Sequence, residues 1–134
     1  MKPYLILLIS FAVLLGCATR QSIRIETAET DSGEDSVSYE LIVFDPGFES
    51  WFLKNHKPSQ FRSQSYYEYW NRRYVQAWNY HETGFRHRQL IDGYINYDSN
   101  TDYGPEINHK LFYYFMYVEH ALKIPIIPDG PRIY

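Results

Sequence analysis

From Val37 to Phe44 the chain reads VSYELIVF, placing Val37, Tyr39, Leu41 and Val43 on one face and Ser38, Glu40, Ile42 and Phe44 on the other. A period of two predicts a strand, and Asp45-Pro46-Gly47 ends it with turn chemistry. The period then changes. Phe48, Trp51 and Phe52 stand at i, i+3 and i+4, which predicts about two helical turns stopping before Lys57-Pro58, because the residue ahead of a proline is pushed out of helical backbone.

The next periodic stretch is aromatic. Ser65-Tyr66-Tyr67-Glu68 fits a capping box, in which a hydroxyl and a carboxylate three residues on satisfy each other's free backbone amides. A helix is therefore expected from near Tyr66, with Gly84 placed to close it in left-handed backbone. At 100° per residue, Tyr66, Tyr67, Trp70, Tyr74, Ala77, Trp78 and His81 fall on one side, with Glu68, Arg72, Gln76 and Asn79 opposite. That is the pattern of a helix laid on a core.

Gly93-Tyr94-Ile95-Asn96-Tyr97 alternates weakly and is expected to partner the strand, since a lone strand leaves its backbone unpaired. Asp98 to Asp102 is a polar loop. Gly104-Pro105-Glu106 opens a second long helix with proline in its first turn, running to about Lys123 ahead of Pro125. Its apolar stripe is Ile107, Leu111, Tyr114, Phe115, Val118, Ala121 and Leu122, yet the far face carries His109, Phe112, Tyr113, Met116 and His120, with Tyr117 at the edge. A far face of that kind is either covered by the strand pair or exposed for binding. Large rings with polar tips are what interfaces and sugar sites use, so His109, Tyr113, Met116, Tyr117 and His120 are the candidate binding residues.

The first residues, MKPYLILLISFAVLLGC, hold one basic side chain and an apolar run from Tyr4 to Leu15 broken only by Ser10. The run is shorter than the roughly twenty residues of a membrane-spanning helix and has the layout of a secretory signal. Its end, Leu14-Leu15-Gly16-Cys17, resembles the bacterial lipobox, where cleavage precedes a cysteine that carries diacylglycerol; Leu15 departs from the smaller residue usual there. Cys17 is the sole cysteine, so an exported chain has no internal disulfide to make with it. Lipidation at Cys17 accounts for the thiol, and several acyl chains anchor far more firmly than one. The alternative is a plain signal peptide with an incidental cysteine.

The stretch after Cys17, ATRQSIRIETAETDSGEDS, has no aromatic residue and is expected to be a flexible stalk, within which Ile23 and Ile25 alternate as a short strand would. The segmentation is then a signal over 1–16, a stalk over 17–36, one aromatic-rich domain over 37–127 and a tail over 128–134. The expected fold is α+β: two principal aromatic-rich helices packed with a short strand pair. Without Lys2, twelve basic side chains face sixteen acidic ones, which gives no surface for nucleic acid.

Candidate chemistry is sparse. His109 and His120 lie eleven residues apart, about 16 Å along a helix axis, too far to share a metal. His81-Glu82 followed by His87 lacks the four-residue histidine spacing of a zinc protease helix. Glu49, Asp92 and Asp102 are acids in or near loops, whose convergence for glycoside hydrolysis a sequence does not show. No phosphate loop, dinucleotide fingerprint or nucleophile elbow appears. Neither a metal site nor a cofactor is expected.

YELIVFDPGFESWF, SQSYYEYWNRRYVQAWNY, NYDSNTDYG and NHKLFYYFMYVEHAL, in this order, resemble a family of small proteins of the Bacteroidota, many of them predicted lipoproteins, described only as a domain of unknown function. The resemblance spans about residues 39 to 122 and implies a diderm envelope but no activity. Ala18 is not the aspartate that retains some lipoproteins at the inner membrane, and Ala18-Thr19-Arg20-Gln21 lacks the acidic residues that resemble a surface-display rule. The expectation is an outer-membrane lipoprotein facing the periplasm. Its domain is read as a non-enzymatic module docking another envelope protein; the alternative is glycan binding by Tyr113 and Tyr117 with His109 or His120, and a hydrolase comes third.

Overall fold

The computed structural model describes residues 23–28, 37–83 and 93–133. The signal segment, Cys17, Gly84, His87, Asp92 and the side chain of His81 lie outside the described residues. In chain order the elements are β1 (Ile23–Ala28), β2 (Ser38–Val43), α1 (Pro46–Asn55), a 3-10 turn (Ser59–Phe61), α2 (Gln64–Thr83) and α3 (Gly104–His120). Among the described residues, three α-helices and a two-stranded antiparallel sheet make one small α+β domain, as the periodicities predict.

The strand over 37–44 is β2, but its partner is not the 93–97 segment. It pairs instead with β1, Ile23 opposite Val43 and Ala28 opposite Ser38, inside the stretch expected to be a stalk. The reason is the shared alternation. In this register Ile23 and Ile25 lie beside Val43 and Leu41, so one face of the pair is apolar and turns to the core, where Ile23 and Leu41 are buried. Glu26 stands directly opposite Glu40 on the outer face, a like-charge pairing that Arg24 offsets with an ion pair to Glu26 at 3.1 Å.

Residues 93–97 meet their backbone needs differently. Ile95 N–H donates to Asn79 Oδ1, Asn79 Nδ2 donates to the Ile95 carbonyl, and Trp78 Nε1 donates to the Gly93 carbonyl. A side chain of α2 thus takes the place of a neighbouring strand.

Helix α1 begins where Asp45 accepts from the Gly47 amide at 2.8 Å. A Cβ at Gly47 would come within 2.5 Å of the Tyr117 hydroxyl, so this position takes glycine because α3 approaches closely. Helix α2 starts two residues earlier than the capping box implies: Ser63 Oγ accepts from the Tyr66 amide, while Glu68 accepts from Gln64 instead of capping. Helix α3 starts at Gly104, whose φ of 78° requires glycine, and stops at His120 with Lys123 in left-handed backbone at φ 60°.

Packing radiates from α3. Its residues 111–118 are all buried, the condition of a helix apolar on every side. Helix α2 supplies Tyr67, Tyr74, Val75 and Trp78; Tyr74 stacks on Phe115 with ring centroids 4.9 Å apart. The expected stripe is rotated slightly, with Asn71 fully buried at its centre and Tyr66 and Trp70 only half-buried at its edge. Asn71 donates to the Asn108 carbonyl at 2.8 Å and Tyr97 donates to Asn108 Oδ1 at 2.8 Å, joining the two long helices by a polar tie.

The residues after 127 are not merely a tail. Glu119 accepts from the amides of Ile126 and Ile127 and from the Tyr74 hydroxyl, which turns the chain back so that Ile133 packs on the core.

Candidate functional site

The face of α3 expected to be either covered or exposed for binding is covered over His109, Tyr113, Met116 and Tyr117. His109 is 3 % exposed, Tyr113 3 %, Met116 0 % and Tyr117 6 %; His120, at the helix end, is half-buried. The cover is α1 and the loop after it, in addition to the strands. Phe48 and Trp51 meet Tyr117 at 5.7 and 5.5 Å, and Phe52 meets Tyr113 at 5.8 Å and His109 at 5.7 Å. Polar tips that suggested an interface satisfy backbone and capping groups: the Lys57 amide donates to the Tyr113 hydroxyl at 3.0 Å, and the Tyr117 hydroxyl donates to Asp45 at 3.2 Å. Burial, then the Asp45 carboxylate, pushes the Tyr117 pKa up to about 12.

Two imidazoles sit together at this junction, His56 and His109, with ring centroids 5.8 Å apart. His56 Nδ1 faces the Phe52 carbonyl at 2.8 Å and His109 Nε2 faces the Lys57 carbonyl at 2.6 Å, so each of these nitrogens carries the proton it donates. They fasten the end of α1. Burial, followed by nearby His56, holds the His109 pKa below its ordinary 6.5 against the opposing pull of the Lys57 carbonyl. A depressed histidine pKa means that the unfolded chain binds the proton more readily, so stability is full above about pH 6.5 and falls as pH drops through the folded value. The urea midpoint is expected to decline as pH falls from about 7 to 5, and His109→Gln, which keeps a donor, should flatten part of that slope. An unchanged slope would place the effect on other groups.

No group of three His, Cys, Asp or Glu side chains suited to a metal ion exists among the described residues. The described acids singled out earlier are engaged apart from one another: Glu49 pairs with Lys110 at 2.7 Å, and Asp102 accepts from the Gly104 amide and Gln64 at the start of α3.

A cleft of about 310 Å³ opens beside the closed face. Its walls come from four places in the chain: Lys54 and Asn55 in the last turn of α1, Lys57, Phe61 and Arg62 before α2, Tyr66 and Tyr67 in the first turns of α2, and Phe112 and Tyr113 on α3; Arg132 and Ile133 close it. The volume falls at the lower end for small-molecule sites. Tyr113 is the one candidate of the far face that reaches it. Two depressions of about 420 Å³, one beside Tyr39 and Tyr103 and one beside His120 and Lys123, are shallower and more open.

The cleft's charge is one-sided. Lys54, Lys57, Arg62 and Arg132 line it, and among the described residues no acidic side chain does and none of the four is in an ion pair. The Arg62 guanidinium lies 5.1 Å from the Phe61 ring centre and 5.2 Å from that of Tyr66, in cation–π range. Tyr67 is 1 % exposed; burial and then Tyr113 push its pKa up, against a hydrogen bond from the Arg62 backbone. One trace of this site is present in the sequence: no acid occurs between Glu49 and Glu68, a stretch containing Lys54, Lys57 and Arg62.

Residues 4–127 match one family, described as Family of unknown function (DUF6146). No curated protein and no solved structure matches the chain.

Proposed function

The chain belongs to this family of unknown function, and from that premise we propose that it is a lipid-anchored lipoprotein of the cell envelope whose small domain binds a partner without catalysing a reaction. The observation that carries the anchor is Leu14-Leu15-Gly16-Cys17 at the end of a short apolar run, holding the chain's sole cysteine. No described helix is long and apolar enough to cross a membrane, and the attachment in this reading rests on acyl chains at Cys17. The residues after Cys17 and the resemblance to Bacteroidota lipoproteins favour the periplasmic side of the outer membrane.

Binding is assigned to the cleft, because burial removes the far face of α3 from reach. A non-enzymatic role is supported by how the described acids and imidazoles are used: Asp45 caps a helix, Glu119 holds a returning loop, and His56 and His109 tie backbone carbonyls. Glycan binding is the second reading, and it moves to the cleft with Phe61, which is 58 % exposed, and Tyr66 as the rings a sugar would meet.

Cys17→Ser tests the anchor. The substitution is expected to abolish labelling by an alkyne fatty acid and to shift the protein from the membrane to the soluble fraction. Undiminished labelling, or continued membrane attachment, would overturn the lipoprotein reading.

A further inference from the structure

We infer that the cleft beside α3 binds a small organic oxyanion, a carboxylate or phosphate joined to a ring-sized body. The inference rests on the reading of the domain as a binding module and names the ligand class for it. The first ground is charge. Acidic residues outnumber basic ones, sixteen to thirteen, yet four basic residues line this cleft and, among the described residues, no acidic one does. Gathering unneutralised like charges costs Coulomb energy, which an anion between them reverses.

The second ground is geometry. Arg62 lies against the rings of Phe61 and Tyr66, which fixes its plane and leaves guanidinium N–H groups for a planar or tetrahedral oxyanion. The third is aromatic surface beside the cations: Phe61, 58 % exposed, and half-buried Tyr66, which is seated on buried Phe112 at 5.9 Å. A bare inorganic ion would leave that surface unused, whereas a sugar acid or aryl phosphate covers it and still presents its charge to Arg62 and Arg132. The volume of about 310 Å³ admits a ligand of that size.

The test is calorimetric titration of the purified full chain in non-ionic detergent with four probes: glucuronate, phenyl phosphate, and their uncharged counterparts methyl glucoside and phenol. At least one anion is expected to bind at least tenfold more tightly than its uncharged counterpart. Which anion binds separates a carboxylate ligand from a phosphate. Arg62→Gln with Arg132→Gln, two exposed positions, should weaken that binding at least tenfold without moving the thermal midpoint. Equal binding of charged and uncharged probes would overturn the oxyanion while leaving a binding cleft. Binding that persists in the double variant would place the anion elsewhere and overturn the site. If no probe binds and tagged chain recovers an envelope protein by a surface that Arg62→Gln and Arg132→Gln leave intact, the ligand class falls and the partner-binding role stands. Failure to bind either probe or protein defeats both.

Discussion

Trp78→Ala is expected to remove much of the protein's stability and to lower its melting midpoint steeply. The side chain is completely buried, its ring lies 5.8 Å from Tyr114 and 6.0 Å from Phe115, and its Nε1 donates to the Gly93 carbonyl at 2.9 Å. Truncating a buried Trp costs about 3–5 kcal/mol through lost transfer energy and a residual cavity. Here the substitution also removes one of the hydrogen bonds that hold residues 93–97 against α2. Set against a total of about 5–15 kcal/mol for an ordinary domain, that loss consumes much of the margin. Trp70 provides the contrast. It lies on the same helix but is half-buried, with the Arg73 guanidinium 4.9 Å from its ring centre, so Trp70→Ala should stay folded with a lowered midpoint. Circular-dichroism melts of the two variants decide the matter. A Trp78→Ala protein melting with the parent would show that the packing of α2 on α3 is not the core.

Periodicity located the three described α-helices and β2, because each depends on residues close together in the chain. The strand partner was less legible. Ile23 and Ile25 are the only large apolar residues of β1, among Arg24, Glu26 and Thr27, and a segment so polar reads as a stalk until β2 lies beside it. Gly93–Tyr97 shows the reverse: a strand-like alternation held by Asn79 rather than by a strand. The far face of α3 was visible as aromatic, but what covers it was not. Phe48, Trp51 and Phe52 were legible as one apolar side of a short helix, and only the fold sets that side against Tyr113 and Tyr117. The cleft was harder still, since Arg132 arrives from seventy residues beyond Arg62, through the turn that Glu119 imposes.

Tyr113→Ala together with Tyr117→Ala is the second large effect, and it bears on whether the rings of α3 are core or binding face. Tyr113 packs on Phe52, His109 and Phe112 and accepts from the Lys57 amide. Tyr117 packs on Phe48 and Trp51 and donates to Asp45, the residue that caps α1. The pair therefore holds both ends of α1 against α3. By analogy with buried Phe, each truncation costs about 3 kcal/mol or more. The two share α1 as a neighbour, so the sum is not additive, but it remains comparable to the stability of the whole domain.

Urea unfolding of the purified double variant beside the parent, at one pH and followed by far-ultraviolet circular dichroism, is the direct measurement. A variant without a cooperative transition, or with its midpoint collapsed toward zero urea, is the result expected if α3 is enclosed and binding is left to the basic cleft. A variant that keeps the parent's midpoint and slope would contradict this, and would return Tyr113 and Tyr117 to the surface.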